Sequence, residues 1–312
     1  MRKKLFVSLL MLLGITMTLA ACGGNQQLAF GTGGTGGTYY PLGGTIAEII
    51  SDNTDAEVTA QVSNASAANM EDLRNGDIQI GFTQTDIASY AAEGTEMFEG
   101  NAIDNVQGIG SLYPETVHIV TTKDSGITSV DDLAGKVVSV GAPGSGTFLN
   151  ASQIFEVHGM TMDDFDARNL DFAESTEGIQ DGDIDAAFIT GGYPVGAVEG
   201  LAALKDVAII PIAQDKIDAL ISAYPFYAAD TIPGGTYGIE SDVTTVAVQA
   251  MLVVSADLEE DLVYDMTKAL FDNADKITHA KGEYITAESA LDGLGIDLHP
   301  GAAKYFEEKG IK

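Results

Sequence analysis

After residue 28 the chain switches repeatedly between two apolar periods. Leu28-Ala29-Phe30 is a short apolar run that ends in a glycine loop. From Leu42 to Asp52, residues Leu42, Ile46, Ile49 and Ile50 fall on one helical face. Val58 to Val62 reads as a strand. Ser66 to Asn75 reads as a helix with Met70 and Leu73 inward, and Ile78 to Phe82 as a strand again. Val117 to Thr121 is β-rich and crosses to new material. Ser129 can cap a short helix, and Lys136 to Val140 is the next strand. Gly144-Ser145-Gly146-Thr147 opens a helix to about Val157. Ala186 to Ile189 and the long β-branched run Val243 to Val254 are further strands. A helix from Asp257 carries Leu258, Leu262, Met266 and Leu270 at helical spacing, with Asp257 and Glu260 as its capping box. The alternation predicts an α/β fold, mostly parallel sheets with helices on both faces.

A faint internal echo bears on domain number. Residues 75–83 read NGDIQIGFT and residues 181–189 read DGDIDAAFI, with Gly, Asp, Ile and Phe at identical offsets. One reading is chance, since such a turn-to-strand junction is ordinary. The other is two similar lobes, each with a glycine loop where a strand meets a helix. The 312 residues, 45% apolar, suffice for two modest cores. Ligands of open α/β sheets sit at the carboxyl ends of strands, so facing lobes would put both loops around one cleft.

The first loop, FGTGGTGGTYYP at residues 30–41, holds five glycines and three threonines. Gly31-x-Gly33-x-x-Gly36 satisfies a dinucleotide fingerprint, but the second strand ends Val62-Ser63-Asn64 without the acid that fingerprint expects. The stretch also approaches a P-loop, with Gly37 where the lysine belongs. What both share is a loop presenting backbone N–H groups at a helix start, a site for a small anion. The alternative is a tight turn with no ligand. Gly144-Ser145-Gly146-Thr147 has the same form, and Thr190-Gly191-Gly192-Tyr193-Pro194 repeats the theme after a strand. Tyr39 and Tyr193 could supply flat walls and hydroxyls, and Gln84 could read a polar group, against ordinary packing for each.

No catalytic or metal signal emerges. His118, His158, His279 and His299 are scattered without ligand spacing. Ser145 lacks the nucleophile elbow because position 143 is Pro. No cofactor is expected. The formal charge of −31, from 15 Lys+Arg against 46 Asp+Glu, makes nucleic acid and anionic membrane surfaces poor partners.

The N-terminus reads as an address. Arg2, Lys3 and Lys4 precede an apolar Leu5 to Leu19, then Leu19-Ala20-Ala21-Cys22. Cys22, the single cysteine, stands where a bacterial lipobox places its lipidated residue, so residues 1–21 are expected to be a signal peptide. An uncleaved anchor is the rival reading.

Several stretches resemble the TAXI family, the solute-binding proteins of tripartite ATP-independent (TRAP) transporters. They are FGTGGTGGTYYPLGGTIAEII, LYPETVHIVTTKDSGITSVDDLAGKVVSVGAPGSGT, the GGYP at 191–194, TVAVQAMLVVSADLEEDLVYDMTKALF and LHPGAAKYFEEKGI. The resemblance runs through the chain after the signal. It implies a two-lobed, type II-like periplasmic-binding-protein fold. A linker at 22–27 would lead to lobe 1, residues 28–117 and 250–312. Lobe 2 would be 122–243, with hinge strands at about 117–122 and 243–254. The resemblance further implies a monomer that captures a small carboxylate, such as glutamate, glutamine or 2-oxoglutarate, for a membrane permease. The candidate ligand-binding residues are Gly36, Gly37, Thr38, Tyr39, Ser66, Gln84, Ser145, Gly146, Thr147, Gly192 and Tyr193. The sister TRAP proteins hold the carboxylate with a fixed Arg, whereas Arg74 and Arg168 here lie outside the glycine loops, which fits recognition by backbone N–H groups. An exported hydrolase using Ser145 and a sensory lipoprotein are the competing functions.

Overall fold

The computed structural model describes residues 26–312. The expected signal peptide, residues 1–21, and Cys22 therefore lie outside the described residues. Strand β1, Gln26–Gly31, feeds the glycine loop, and helix α1, Tyr39–Asn53, follows. The helix begins three residues ahead of the expected Leu42. It takes Pro41 into its first turn, where no N–H is needed. Leu42, Ile46, Ile49 and Ile50 are buried as their spacing predicts. Then come β2 (Ala56–Gln61), α2 (Ser66–Asn75), β3 (Ile80–Gln84) and α3 (Thr85–Glu93). The pattern gave no sign of α3, which starts on the residue after β3 with no turn between.

A 17-residue strand, β4 (Val106–Thr122), leads to β5 (Val137–Ser139) and α4 (Gly146–Val157). Next are β6 (Asp166–Arg168), α5 (Phe172–Asp181), β7 (Ala186–Gly191), α6 (Gly196–Ala202), β8 (Val207–Ile209) and α7 (Gln214–Ala223). The chain closes with β9 (Ala228–Ile232), β10 (Val243–Ser255), α8 (Glu260–Asp272) and α9 (Pro300–Lys309). The Ser129 capping box forms, on a short 3-10 helix at Val130–Leu133. The Asp257 box does not: α8 starts at Glu260 with Glu259 as its cap residue and no side-chain cap. Its buried face is accordingly Val263, Met266, Thr267 and Leu270, while Leu258 and Leu262 are only partly buried.

The strands join in the order β2-β1-β3-β10-β4-β7-β5-β6, with β8 beside β4 and β9 beside β10. Both flanks are parallel, and β10 and β4 run antiparallel to their neighbours through the middle. The flanks repeat one plan. β1, loop, α1, β2, α2, β3 gives the order 2-1-3, and β5, loop, α4, β6, α5, β7 gives 6-5-7. The echo in the sequence marks the same joint twice. Gly76 and Gly182 end α2 and α5 in the left-handed region, at φ 80° and 85°, just before β3 and β7. Glycine takes that conformation without the strain a side chain would bring.

Each lobe has helices on both faces of its part of the sheet. In the first, Phe30, Phe82, Leu252 and Val254 pack under α1, α8 and α9, while Met251 and Val253 face Met70, Leu73 and Ile87. This burial on both faces explains why Val243 to Val254 lacks polar alternation. In the second, Val117, Ile119 and Phe188 pack on α4, and Val120 and Ile189 face Val198 and Leu201. β3 last pairs with β10 at Ala250, β9 first pairs at Ala247, and β7 first pairs with β4 at Thr116. Between these points β4 and β10 cross with no third strand beside them.

Candidate functional site

Both glycine loops end at the seam between the lobes. A narrow cleft there is walled by Gly33, Gly34, Gly37, Thr38 and Tyr39 with Ser63–Ala65 on one side, and by Ala142, Ser145, Thr147, Asp171 and Phe172 on the other. Glu115 and Thr190 also line it. The space a water-sized sphere can reach is about 50 Å³. A hollow of about 750 Å³ beside α8 and α9 is wide and shallow and holds none of these groups.

The lobes are drawn together across the cleft by backbone and side-chain bonds. Thr38 Oγ1 donates to the Gly192 carbonyl at 3.0 Å, and the Ala197 N–H donates to the Gly36 carbonyl at 2.9 Å. The N–H groups of Ala67 and Ala68 donate to the Gly144 carbonyl at 3.1 and 3.0 Å. Gln84 Nε2 donates to Asn150 Oδ1 at 3.2 Å and Asn150 Nδ2 to Asp86 Oδ2 at 3.4 Å, while within the second lobe Asn150 Nδ2 also donates to Tyr227 Oη at 2.8 Å.

This closure explains the glycines. None of Gly31, Gly33, Gly34, Gly36, Gly37, Gly146 and Gly192 has positive φ; Gly141 and Gly144 do, at 93° and 78°. The first loop needs glycine for close approach. A Cβ on Gly36 would sit 3.1 Å from Ala197 Cβ and 3.3 Å from the Ala173 nitrogen of the opposite lobe. One on Gly146 would overlap Gln84 Oε1, and one on Gly192 would overlap Lys281 Cγ. One on Gly31 would sit 2.6 Å from Asn69 Oδ1. Buried Asn69 stitches the loop down, its Nδ2 donating to the carbonyls of Gly31, Thr32 and Phe82 at 3.2, 2.8 and 2.8 Å.

Of the residues singled out from sequence, Gly37, Thr38, Tyr39, Ser145 and Thr147 line the cleft; Gly36, Ser66, Gln84, Gly146, Gly192 and Tyr193 do not. Ser145 Oγ accepts from the Phe148 N–H at 3.2 Å as the cap of α4. The Tyr193 ring turns the other way, under the Lys281 ammonium 3.6 Å from its centroid. Sequence reasoning missed Glu115, Ser63, Asn64, Ala65, Asp171 and Phe172, and named Thr190 only as the start of the motif at 190–194. Glu115 did leave a signal, a lone acid inside the apolar run LYPETVHIV. Ala65 holds φ 68°, a strained backbone for a residue with a side chain.

The cleft is acidic. Tyr39 Oη donates to Glu115 Oε2 at 2.8 Å. Burial pushes the Glu115 carboxyl up to about 8, against the pull of hydrogen bonds from Tyr39 and Gln84. Asp86, buried beside Asn150, is pushed up to about 7 by the same cause. The positive ends of two helices offset this. The first-turn amides of α1 and α4 have no intrahelical acceptor, and both termini open on the cleft. Neither arginine of the described residues is near: Arg74 pairs with Glu71 on α2, and Arg168 with Asp166 at 2.7 Å on the surface. Histidines are occupied elsewhere: His118 is held neutral by burial, down to about 4, and His279 and His299 accept backbone N–H bonds as helix caps. No group of metal-ligating side chains occurs among the described residues.

Two α/β lobes joined by crossing strands thus close on a small polar cleft. Residues 30–310 match the NMT1-like family, and the chain belongs to it. Solved structures share the fold at low identity. The alkanesulfonate-binding protein SsuA of Xanthomonas axonopodis pv. citri, bound to MOPS, has TM-score 0.53 at 15% identity, covering 90% of this chain and 83% of its own. PhnD1 of Prochlorococcus marinus with methylphosphonate has TM-score 0.55 at 13% identity, covering 92% and 97%. A Streptococcus mutans structure described for glutathione import via GshT and the cystine ABC importer TcyBC has TM-score 0.51 at 16% identity, covering 87% and 100%.

Proposed function

We propose that the chain is an exported solute-binding protein that captures a small carboxylate in the cleft and delivers it to a membrane transporter. The observation that carries this reading is the convergence of two helix N-termini on one small enclosed space with no arginine in its wall. The carboxylate sits on first-turn amides of α1 and α4, beside Thr38, Tyr39 and Thr147. Lobe 1 comprises the residues up to the crossing and those after about 250. Bending falls where β4 and β10 cross unaccompanied, and ligand favours the closed state by its differential affinity. The protein acts as a monomer, held to the membrane through a lipid on Cys22. The opening motif supports a TRAP permease of the TAXI kind as partner. The neighbour described with the importer TcyBC favours a second reading, an ABC permease. Uptake driven by an imposed ion gradient without ATP separates the two.

Mass spectrometry of the ligand that co-purifies with the protein, followed by calorimetry with it, tests the function. A small organic acid bound with micromolar or tighter affinity is expected. Turnover of the bound compound, or a ligand without a carboxylate, would overturn the proposal.

A further inference from the structure

The floor of the cleft has a chemistry that the helix termini do not explain. Glu115 is 2% exposed and lines the cleft from the middle of β4. No Lys, Arg or His is among the lining residues, so no cation of the described residues neutralises it there. Thr190, also in the wall, is 5% exposed, and its Oγ1 has no hydrogen-bond partner. The two lie on one face of the sheet: Thr190 pairs with Val117, and Glu115 is two residues before Val117 on the same strand. A buried hydroxyl without a partner and a buried carboxyl without a cation are both costly unless a ligand completes them.

Resting on the carboxylate reading above, we propose that Glu115 and Thr190 form a subsite for a primary ammonium group, so the cleft selects amino acids over oxo or hydroxy acids of the same skeleton. The ammonium donates to the Glu115 carboxylate and to Thr190 Oγ1, and Tyr39 Oη holds the carboxylate in place through Oε2. Glu115 is the specificity-determining residue. The helix termini take the carboxylate at the other end of the space.

The pairing requires Glu115 ionised, and burial holds its pKa near 8. Binding near neutral pH therefore releases a proton, and affinity climbs as pH rises toward 8, by at most about tenfold per unit. The titratable groups that bear on Glu115 are Tyr39 from α1, Tyr113 on β4 and Asp86 from α3, with Asp171 in the facing wall. Both tyrosines are pushed well above their ordinary value and stay neutral. Asp86 titrates near 7, so the pH series is repeated in Asp86→Asn.

Calorimetry on the wild-type protein with matched pairs tests the proposal: glutamate and 2-oxoglutarate, alanine and pyruvate, leucine and 4-methyl-2-oxopentanoate, together with putrescine as an amine without a carboxylate. The expected result is binding of an amino member and at least about thirtyfold weaker binding of its oxo partner, with a similar loss in Glu115→Gln. Thr190→Val loses about three- to tenfold. Glu115→Gln is nearly isosteric, and circular dichroism confirms its fold; should it misfold, Thr190→Val and the wild-type pairs decide alone. An oxo member binding as well as its amino partner, or affinity falling with pH while Glu115→Gln retains it, overturns the subsite and leaves the carboxylate reading standing. Putrescine binding that depends on Glu115, with no acid binding, keeps the subsite and removes the carboxylate. Binding of no compound overturns both.

Discussion

Gly146→Ala tests whether the glycines serve closure. The added Cβ would overlap Gln84 Oε1 and lie 2.5 Å from Gln84 Cδ, across the seam between the lobes. Gln84 is 2% exposed and bonded to Asn150, so its amide cannot simply swing away. Displacing it forfeits a hydrogen bond, ~0.5–1.5 kcal/mol. Overpacking the seam adds ~1–3 kcal/mol. Because the end of a side chain yields more easily than backbone, a total of ~1.5–3 kcal/mol is expected. All of it falls on the closed state, so ligand affinity drops by about ten- to 150-fold. Thermal unfolding of the ligand-free protein should hardly change. Gly44→Ala on α1 is the control, since a Cβ there meets nothing within 4 Å. Gln84→Ala in the Gly146→Ala background removes the clash and should recover part of the affinity. The assay is calorimetry with the co-purifying ligand, with small-angle scattering to follow compaction. A Gly146→Ala protein that binds and compacts like wild type would refute the closure role, as would a double variant no better than the single one.

Stability should fall as pH rises from 5 to 8. Glu115 and Asp86 have folded-state values near 8 and 7, above their unfolded ones, so the folded chain holds extra protons in this window. Their contribution is complete below about pH 4 and is lost as pH passes through 7 to 8, at no more than about 1.4 kcal/mol per pH unit each. Urea unfolding of Glu115→Gln/Asp86→Asn should show a flatter profile; an unchanged slope rules the two acids out as its cause. Arg74→Ala and Arg168→Ala should each keep ligand affinity within about tenfold, ~1.4 kcal/mol, because both pair at the surface away from the cleft. Asn69→Ala strips two carbonyls of the first loop and one of β3 of their donor and should cost ~2–4 kcal/mol in chemical denaturation; a loss under ~0.5 kcal/mol would show the loop holds itself.

Strong periodicity made the strand β10 and the helices α1 and α2 legible, α2 to its end residues. The weak internal echo carried the repeated plan of the lobes, because a left-handed glycine before a strand leaves a short local mark. Helix α3 was hidden because Gln84 is at once the end of β3 and the cap of the helix, so no turn residue separates the two periods. The place of the glycine loops was readable, but not their physical reason. Gly36 answers to Ala173 and Ala197, and Gly146 to Gln84, contacts that exist only once the lobes meet. Glu115 escaped notice as a site residue because a buried acid in a long apolar strand has no spacing partner. Its neighbours Tyr39 and Thr190 come from distant stretches of the chain.

The order in which the chain supplies its two cores has a consequence for assembly. The second lobe's core draws only on residues Val117 to Val248, one uninterrupted stretch. The core beneath α1 needs Leu252, Met266, Leu270, Tyr305 and Phe306 from the far end. A chain emerging N-terminus first can therefore complete its second lobe while the first still waits for its last sixty or so residues (about a fifth of the length). Until then Phe30, Leu42, Ile46 and Phe82 lack their cover. The half that carries the first glycine loop is the last to mature, so a chain cut short after β10 would present a finished lobe beside a sticky, uncovered one, a natural mark for proteolytic clearance.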